Sequence, residues 1–361
     1  MNSRVVVSCE NLQELDSILS VLLVDYLAED IVIFGTVALY GPGLEGEFYR
    51  NCRVVGVRRI FNGVFKKSNP VKRILESICI AYQLSRLLRK LDVDVLVVGV
   101  SLIYHRLVKK FMGDKILIVS IVRSVIVGGD GASFASSIKS SVFNALGLGH
   151  YLADSYICTG PVTEKFLNGV GANNIYTVGP FDVDYTLPSR VKDPRYLDTV
   201  VFITGAYSWH GDEYGQGVQV ELVRKLKFFL ATKGVGLKVL VHPRDSLDVY
   251  GFSDGVIEGG LAKCIELEAN TDGILFVSMA STLSFELAYL GFRSVLLSSP
   301  EFYRKHADWY RKVGVSPLFK FEELFEGGSI DYCKVFGNSF KGRVLEESCR
   351  LVKSMGLKAN G

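Results

Sequence analysis

Three short segments of the 361-residue chain set chemistry-bearing side chains where an apolar run ends. The run from Ile116 gives way to Gly128-Gly129-Asp130-Gly131-Ala132-Ser133, so one carboxylate, Asp130, stands in a turn whose glycines Gly129 and Gly131 let another molecule approach the backbone. A carboxylate there can take a proton from an attacking hydroxyl, or it can be a turn aspartate capping the next helix. The run Leu237 to Val241 ends in His242-Pro243-Arg244-Asp245. Proline stops the strand, which leaves the His242 imidazole able to donate to, or protonate, a leaving phosphate; the alternative is a loop histidine. The run Gly273 to Val277 leads through Ser278-Met279-Ala280 to Ser281-Thr282 and the helical stretch Leu283 to Leu290. Hydroxyls and unsatisfied N–H groups at a helix N-terminus favour a phosphate, whereas ordinary N-capping is the other reading of Ser281.

The elements that must hold these residues follow from periodicity. Short β-branched blocks run Arg4 to Ser8, Ile31 to Phe34, Val93 to Val98, Ile116 to Val122 and Tyr156 to Thr159, separated by segments of helical period such as Leu12 to Tyr26 and Val71 to Leu91. Ser68-Asn69-Pro70 offers the second of these helices a cap followed by a first-turn proline. Continuous apolar strands with helical crossovers predict an α/β fold with a doubly wound parallel sheet. The polar stretch Gly179 to Leu197 holds three prolines and reads as a linker. Beyond it the alternation resumes: strand Thr199 to Thr204, helix Val218 to Lys233, strand Leu237 to Val241, helix Leu261 to Asn270, strand Gly273 to Val277, helix Ser281 to Leu290 and strand Arg293 to Leu297. The expected plan is an N-terminal Rossmann-like domain over 1–180, a linker over 181–198 and a C-terminal Rossmann-like domain over 199–340. A terminal helix in 341–361 would pack back on the first domain. Two such domains predict a cleft facing the carboxyl ends of both sheets.

Composition narrows the classes. With 48% hydrophobic and 22% charged residues the chain is a packed globular protein, and 41 Lys+Arg against 38 Asp+Glu give only +3, so bulk charge points to no nucleic-acid partner. Seven cysteines without a CxxC spacing read as thiols of a reducing cytoplasm rather than disulfides or a zinc site. The start of the chain shows no export signal, and the apolar run Ile116 to Gly129 is short for a membrane span and contains Arg123. The expected location is the cytoplasm.

Other signals carry less. The triplets Asp92-Val93-Asp94 and Asp182-Val183-Asp184 fall at the start of a strand and in the linker, the wrong places for a metal-held nucleotide, so no metal is expected. Gly211, Gly215 and Gly217 read as a glycine-rich strand-to-helix turn that is not GxGxxG; a nicotinamide site is not implied, and His210 and Gln216 become candidate substrate contacts. Arg53, Arg58, Arg59, Lys66, Lys67, Lys72 and Arg73 follow one another with no intervening acid, interleaved with Phe61 and Phe65. Such a run suits an anionic membrane surface or a charged glycolipid, or is simply a solvated face.

Taken in order, Gly129-Asp130-Gly131, His242-Pro243 and Ser281-Thr282 resemble the D/E-D/E-G turn, the HP dipeptide and the SS/ST pair of bacterial sialyltransferases of the two-domain GT-B fold. The segments LVHPRD (240–245) and ASTLSFEL (280–287) extend the resemblance, and Ile265-Glu266-Leu267 is similar to the family's ribose-binding segment. Gly129 departs from the pattern at its first acidic position, leaving Asp130 alone. The resemblance implies inverting, metal-independent and cofactor-free transfer of a nonulosonic acid, sialic acid first, from its CMP-sugar to a surface-glycan acceptor such as lipooligosaccharide or capsule. Asp130 would act as base. His242, Pro243, Arg244, Ser281 and Thr282 would hold the CMP phosphate, and Glu266 the ribose. On the anionic-surface reading of the run Arg53 to Arg73, the enzyme would sit on the inner face of the cytoplasmic membrane. Related GT-B enzymes with CMP-Kdo, CDP- or UDP-linked donors, including Kdo transferases, polymerases and 2-epimerases, stay open as alternatives, as does a non-catalytic scaffold.

Overall fold

The computed structural model describes residues 4–9, 12–35, 52–56, 70–99, 103–123, 153–183, 196–208, 211–271, 273–337 and 342–359. Gly129, Asp130, Gly131, His210, Arg58, Arg59, Lys66 and Lys67 lie outside them, as does the Arg73 side chain.

The chain divides into two compact units, the first comprising 1–126, 130–184 and 338–361, the second 127–129 and 185–337. In the first unit β1 (Val5–Cys9), β2 (Ile31–Gly35), β3 (Arg53–Gly56), β4 (Val95–Val98), β5 (Leu117–Val122), β6 (Ser155–Cys158) and β7 (Ile175–Thr177) pair in the order β3-β2-β1-β4-β5-β6-β7. Every pairing is parallel. The crossovers carry α1 (Leu12–Leu22), α2 (Pro70–Leu91), α3 (Ile103–Met112) and α4 (Pro161–Gly169). Alternation along each strand explains why the runs read as continuously apolar. Val5, Val7, Ile31, Ile33 and Val97 pack with Leu15, Ile18 and Leu19 of α1 on one face. Val6, Val32, Phe34, Leu96 and Val98 pack with Ile80, Leu84 and Leu88 of α2 on the other.

The second unit repeats the plan on a smaller scale. Strands β8 (Thr199–Ile203), β9 (Gly236–Val241), β10 (Gly255–Glu258), β11 (Ile274–Ser278) and β12 (Ser294–Leu296) form a parallel sheet in the order β10-β9-β8-β11-β12. Its helices are α5 (Glu213–Ala231), α6 (Leu261–Asn270), α7 (Thr282–Tyr289), α8 (Pro300–Lys305), α9 (Ala307–Val313) and α10 (Cys333–Phe336). The last helix, α11 (Val344–Ala359), belongs to the first unit, where Val344, Cys349, Val352 and Met355 join the core formed with α1.

The elements differ from the sequence expectation where the local signal is weak. Helix α5 begins at Glu213, not Val218, because Asp212 caps it. Strands β3, β7 and β10 were not expected: β3 exposes Arg53 and Val54, β7 is half-buried throughout, and β10 alternates half-buried with exposed residues, so none shows an apolar run. The seven cysteines are thiols, five of them buried. Among the described residues no helix is long and apolar enough to cross a membrane.

A histidine lies deep in the first unit. His105 of α3 is fully buried, its Nε2 3.0 Å from Ser8 Oγ on β1. Burial, with a smaller push from the neighbouring Arg106 guanidinium, lowers the His105 pKa from 6.5 to about 3. The unfolded chain therefore takes up a proton below pH 6.5 that the folded chain refuses until about pH 3, and stability falls through that window as pH is lowered. The slope from one such group reaches about 1.4 kcal/mol per pH unit. Urea unfolding across this window should show a steeper acid loss for the wild type than for His105→Gln; parallel slopes would mean that the native imidazole is charged.

Candidate functional site

Strands β8, β9 and β11 are paired in register, with Ile203 opposite both Leu240 and Ser278. Residues just past each strand therefore emerge on one carboxyl edge. Between β8 and β11 the strand order reverses, the position where ligands of open α/β sheets bind. There the His242 N–H donates to Thr204 Oγ1 at 2.9 Å, tying the end of β9 to the end of β8. Pro243 turns the chain so that the Arg244 N–H donates to His242 Nδ1 at 3.1 Å. This hydrogen bond assigns the neutral tautomer: Nδ1 accepts, and the proton is carried on Nε2.

The turn is anchored from beneath by Asp245. Its N–H donates to the His242 carbonyl at 2.8 Å, and its carboxylate accepts from Ser246 N–H and Gln216 Nε2 at 2.9 Å and from the Tyr250 hydroxyl at 2.9 Å. Gln219, fully buried on α5, completes the network: its Oε1 accepts from Gly205 N–H at 2.7 Å and its Nε2 donates to Tyr250 Oη at 2.7 Å. Burial first, and then the Asp245 carboxylate, push the Tyr250 phenol above its ordinary pKa, so it remains a donor. Gln216 thus supports the turn, and the stretch read as an open glycine loop is helical from Glu213. The reason is the cap: Asp212 accepts from Gly215 N–H at 3.1 Å and draws Glu213 to Gly217 into the helix. A Cβ at Gly215 would lie 2.5 Å from the Asp212 carboxylate, so this glycine makes room for the cap. Burial works to raise the Asp212 pKa, but Lys305, at 2.7 Å from α8, and the Gly215 N–H outweigh it and hold it below the ordinary value.

At the third strand, Ser281 occupies the N-cap position of α7 in extended geometry (φ −135°, ψ 133°), yet its side chain makes no capping hydrogen bond. The cap expected as its bland role is absent, and the half-buried hydroxyls of Ser281 and Thr282 stand at the positive end of the helix dipole. The connection is held by Tyr310, whose hydroxyl donates to the Met279 carbonyl at 2.8 Å, and by Ser278 and Ser284, whose buried hydroxyls share a hydrogen bond at 2.7 Å. Pro243 and Arg244 are exposed beside His242. Glu266 lies on the exposed side of α6, where Lys263 donates to both its oxygens at 2.6 and 2.7 Å. Among the described residues no group of three or more His, Cys, Asp or Glu side chains could hold a metal.

Asp245, Gln219, Tyr250 and Thr204 are the residues that motif reading missed. One signal for Gln219 was present: it shares a helical stripe with Leu222, Val223, Leu226 and Leu230, all buried, and an amide on such a stripe needs partners.

No family model and no curated protein matches the chain. Solved structures do. The UDP-GlcNAc 2-epimerase of Methanocaldococcus jannaschii superposes with a TM-score of 0.59 at 14% identity, covering 98% of this chain and 99% of its own. A UDP-GlcNAc 2-epimerase from Neisseria meningitidis bound to UDP-GlcNAc gives 0.56 at 10% identity, covering 98% and 100%, and MurG of Acinetobacter baumannii gives 0.53 at 12%, covering 98% and 100%. Identity this low carries the fold alone: the chain has the GT-B fold, with two doubly wound parallel sheets, as expected.

Gln219→Leu would leave the Gly205 N–H without its acceptor, at roughly 1–3 kcal/mol for a buried group left unpaired, and would leave Tyr250 with the longer of its two amide donors, Gln216 Nε2 at 3.2 Å. Urea denaturation should show that loss; an unchanged midpoint would mean that the amide does not bear on the turn.

Proposed function

We propose that the chain is an inverting glycosyltransferase that moves a nonulosonic acid, sialic acid first, from its CMP-linked form to a hydroxyl of a surface-glycan acceptor. The observation that carries this reading is the pair formed by His242, with its proton assigned to Nε2, and the hydroxyl-bearing N-terminus of α7, set at the ends of strands β9 and β11 on either side of β8. Both offer donors to a phosphate. The ordered likeness of the Asp130, His242 and Ser281-Thr282 segments to the sialyltransferase motifs supports the cytidine donor, and a fold shared with sugar-nucleotide enzymes supports the class.

In this mechanism Asp130 removes the acceptor hydroxyl proton as that oxygen attacks the anomeric carbon. The new bond forms on the face opposite the phosphate, the bond from the anomeric carbon to the phosphate oxygen breaks, and CMP leaves with the electron pair. His242 Nε2–H, the α7 N–H groups and the Ser281 and Thr282 hydroxyls receive the charge that grows on the departing phosphate. Exposed Arg244 adds a guanidinium to the same edge, and Glu266 takes the ribose hydroxyls by exchanging its bond to Lys263. The positive field comes from the protein, and the reaction as proposed uses no metal and no organic cofactor.

A CMP-release assay with CMP-sialic acid tests this without knowledge of the acceptor. His242→Ala should slow release on the order of 10²–10³-fold, the usual cost of one lost transition-state donor. Asp130→Asn should slow release about 10²–10⁴-fold, the range of a general base. Absence of release, with calorimetry showing UDP but not CMP bound, would overturn the donor in favour of a UDP-sugar enzyme of the same fold. Binding of neither nucleotide would make the chain a scaffold.

A further inference from the structure

Helix α2 presents two different faces. Inward it buries Ser77, Ile80, Ala81, Leu84, Ser85 and Leu88. Outward, between Ile74 and Tyr82, it exposes four large apolar side chains, Ile74 (42%), Leu75 (48%), Ile78 (41%) and Tyr82 (59%). At 100° per residue these four fall within an arc of about 100°, one stripe rather than a scatter. A surface helix ordinarily turns polar residues outward, so a contiguous apolar stripe marks something that covers it.

The charges around the stripe say what. Lys72 precedes it, and Arg86, Arg89 and Lys90 follow it, all exposed. The one acid of α2, Glu76, is buried on the opposite side. The Arg89 guanidinium donates to the carbonyl of Phe111 at 2.9 Å, which brings a further exposed aromatic of α3 alongside. On edge strand β3, Arg53 and Val54 are also exposed, and the sequence between Arg53 and Arg73 holds seven cations and no acid. An apolar stripe flanked, among the described residues of α2, by exposed cations complements an anionic interface, with apolar side chains sinking below the headgroups and Lys or Arg meeting the phosphates.

We propose that the outward face of α2 docks on an anionic lipid bilayer, with Ile74, Leu75, Ile78 and Tyr82 entering the boundary between headgroups and acyl chains and Lys72, Arg86 and Lys90 pairing with lipid phosphates. The assignment is independent of the donor and of the chemistry in the second unit.

Co-sedimentation of the full chain with vesicles decides it. The protein should pellet with phosphatidylcholine vesicles that contain phosphatidylglycerol and stay in solution with phosphatidylcholine alone, and added salt should weaken the binding. The double variant Leu75→Glu/Ile78→Glu should bind at least about ten-fold more weakly, as expected when apolar insertion is lost, with unchanged circular dichroism. Lys72→Glu/Arg86→Glu should weaken binding to anionic vesicles only. Phe228→Glu, which removes the 71%-exposed aromatic of α5, should bind like the wild type. Failure of the wild type to bind anionic vesicles at low salt, or equal loss with Phe228→Glu, overturns the proposal. So does a concentration-dependent dimer abolished by Leu75→Glu/Ile78→Glu, which would assign the face to a second copy of the chain.

Discussion

A strand buried on both faces of a parallel sheet has few polar positions along its length, and one such as Ser8 of β1 is paired inside, with His105. Its side chains alternate between two apolar layers, as Val5 and Val7 do on one side of β1 and Val6 on the other. Chemistry is therefore displaced to the strand ends, and register decides which ends meet. Because Ile203 of β8 faces Leu240 of β9 and Ser278 of β11, the residues that follow, Thr204, His242 and Met279, share one edge. The helices on both faces and the short turns at the carboxyl ends follow from the same constraint.

An edge gathers residues but does not orient them. That is done by a set of polar contacts under the turn, in which Asp245 receives donors from Ser246, Gln216 and Tyr250 while Gln219 bridges Tyr250 to the backbone of Gly205. Networks of this kind lose much when one member is removed, because a buried partner is then left unpaired, so they favour a single geometry. Here the geometry held is the direction of an imidazole, through the 3.1 Å hydrogen bond from Arg244 N–H to His242 Nδ1.

Much of this was legible in the sequence, for identifiable reasons. Buried strands such as β1, β2, β5 and β8 announce themselves because both their faces are apolar, and the HP dipeptide marks the end of β9 because proline must stop it. The start of α5 was misread because Gly215 and Gly217 look like a loop, whereas one of them makes room for a cap at Asp212. Gln219 and Tyr250 were invisible as functional residues because their partners lie 14 to 34 positions away along the chain. The stripe on α2 escaped for another reason: periodicity counts Ile74, Ile78 and Tyr82 as apolar but does not say which side of the helix meets the sheet. Asp130, on which the general-base assignment rests, lies outside the described residues, and its place is known from sequence order alone.

The position of α11 bears on how the protein comes into being. Val344, Cys349, Val352 and Met355 sit in the same core as Leu15, Ile18 and Leu22 of α1, although more than 300 residues separate them. A ribosome delivers α1 more than 300 residues before these four side chains. During synthesis the first sheet exists before the helix that finishes covering one of its faces, and the second sheet, complete by Gly337, is made while that face still lacks it. The half made first is thus the half closed last. A chain cut within α11 would leave an apolar surface open on α1, far from the cut in sequence.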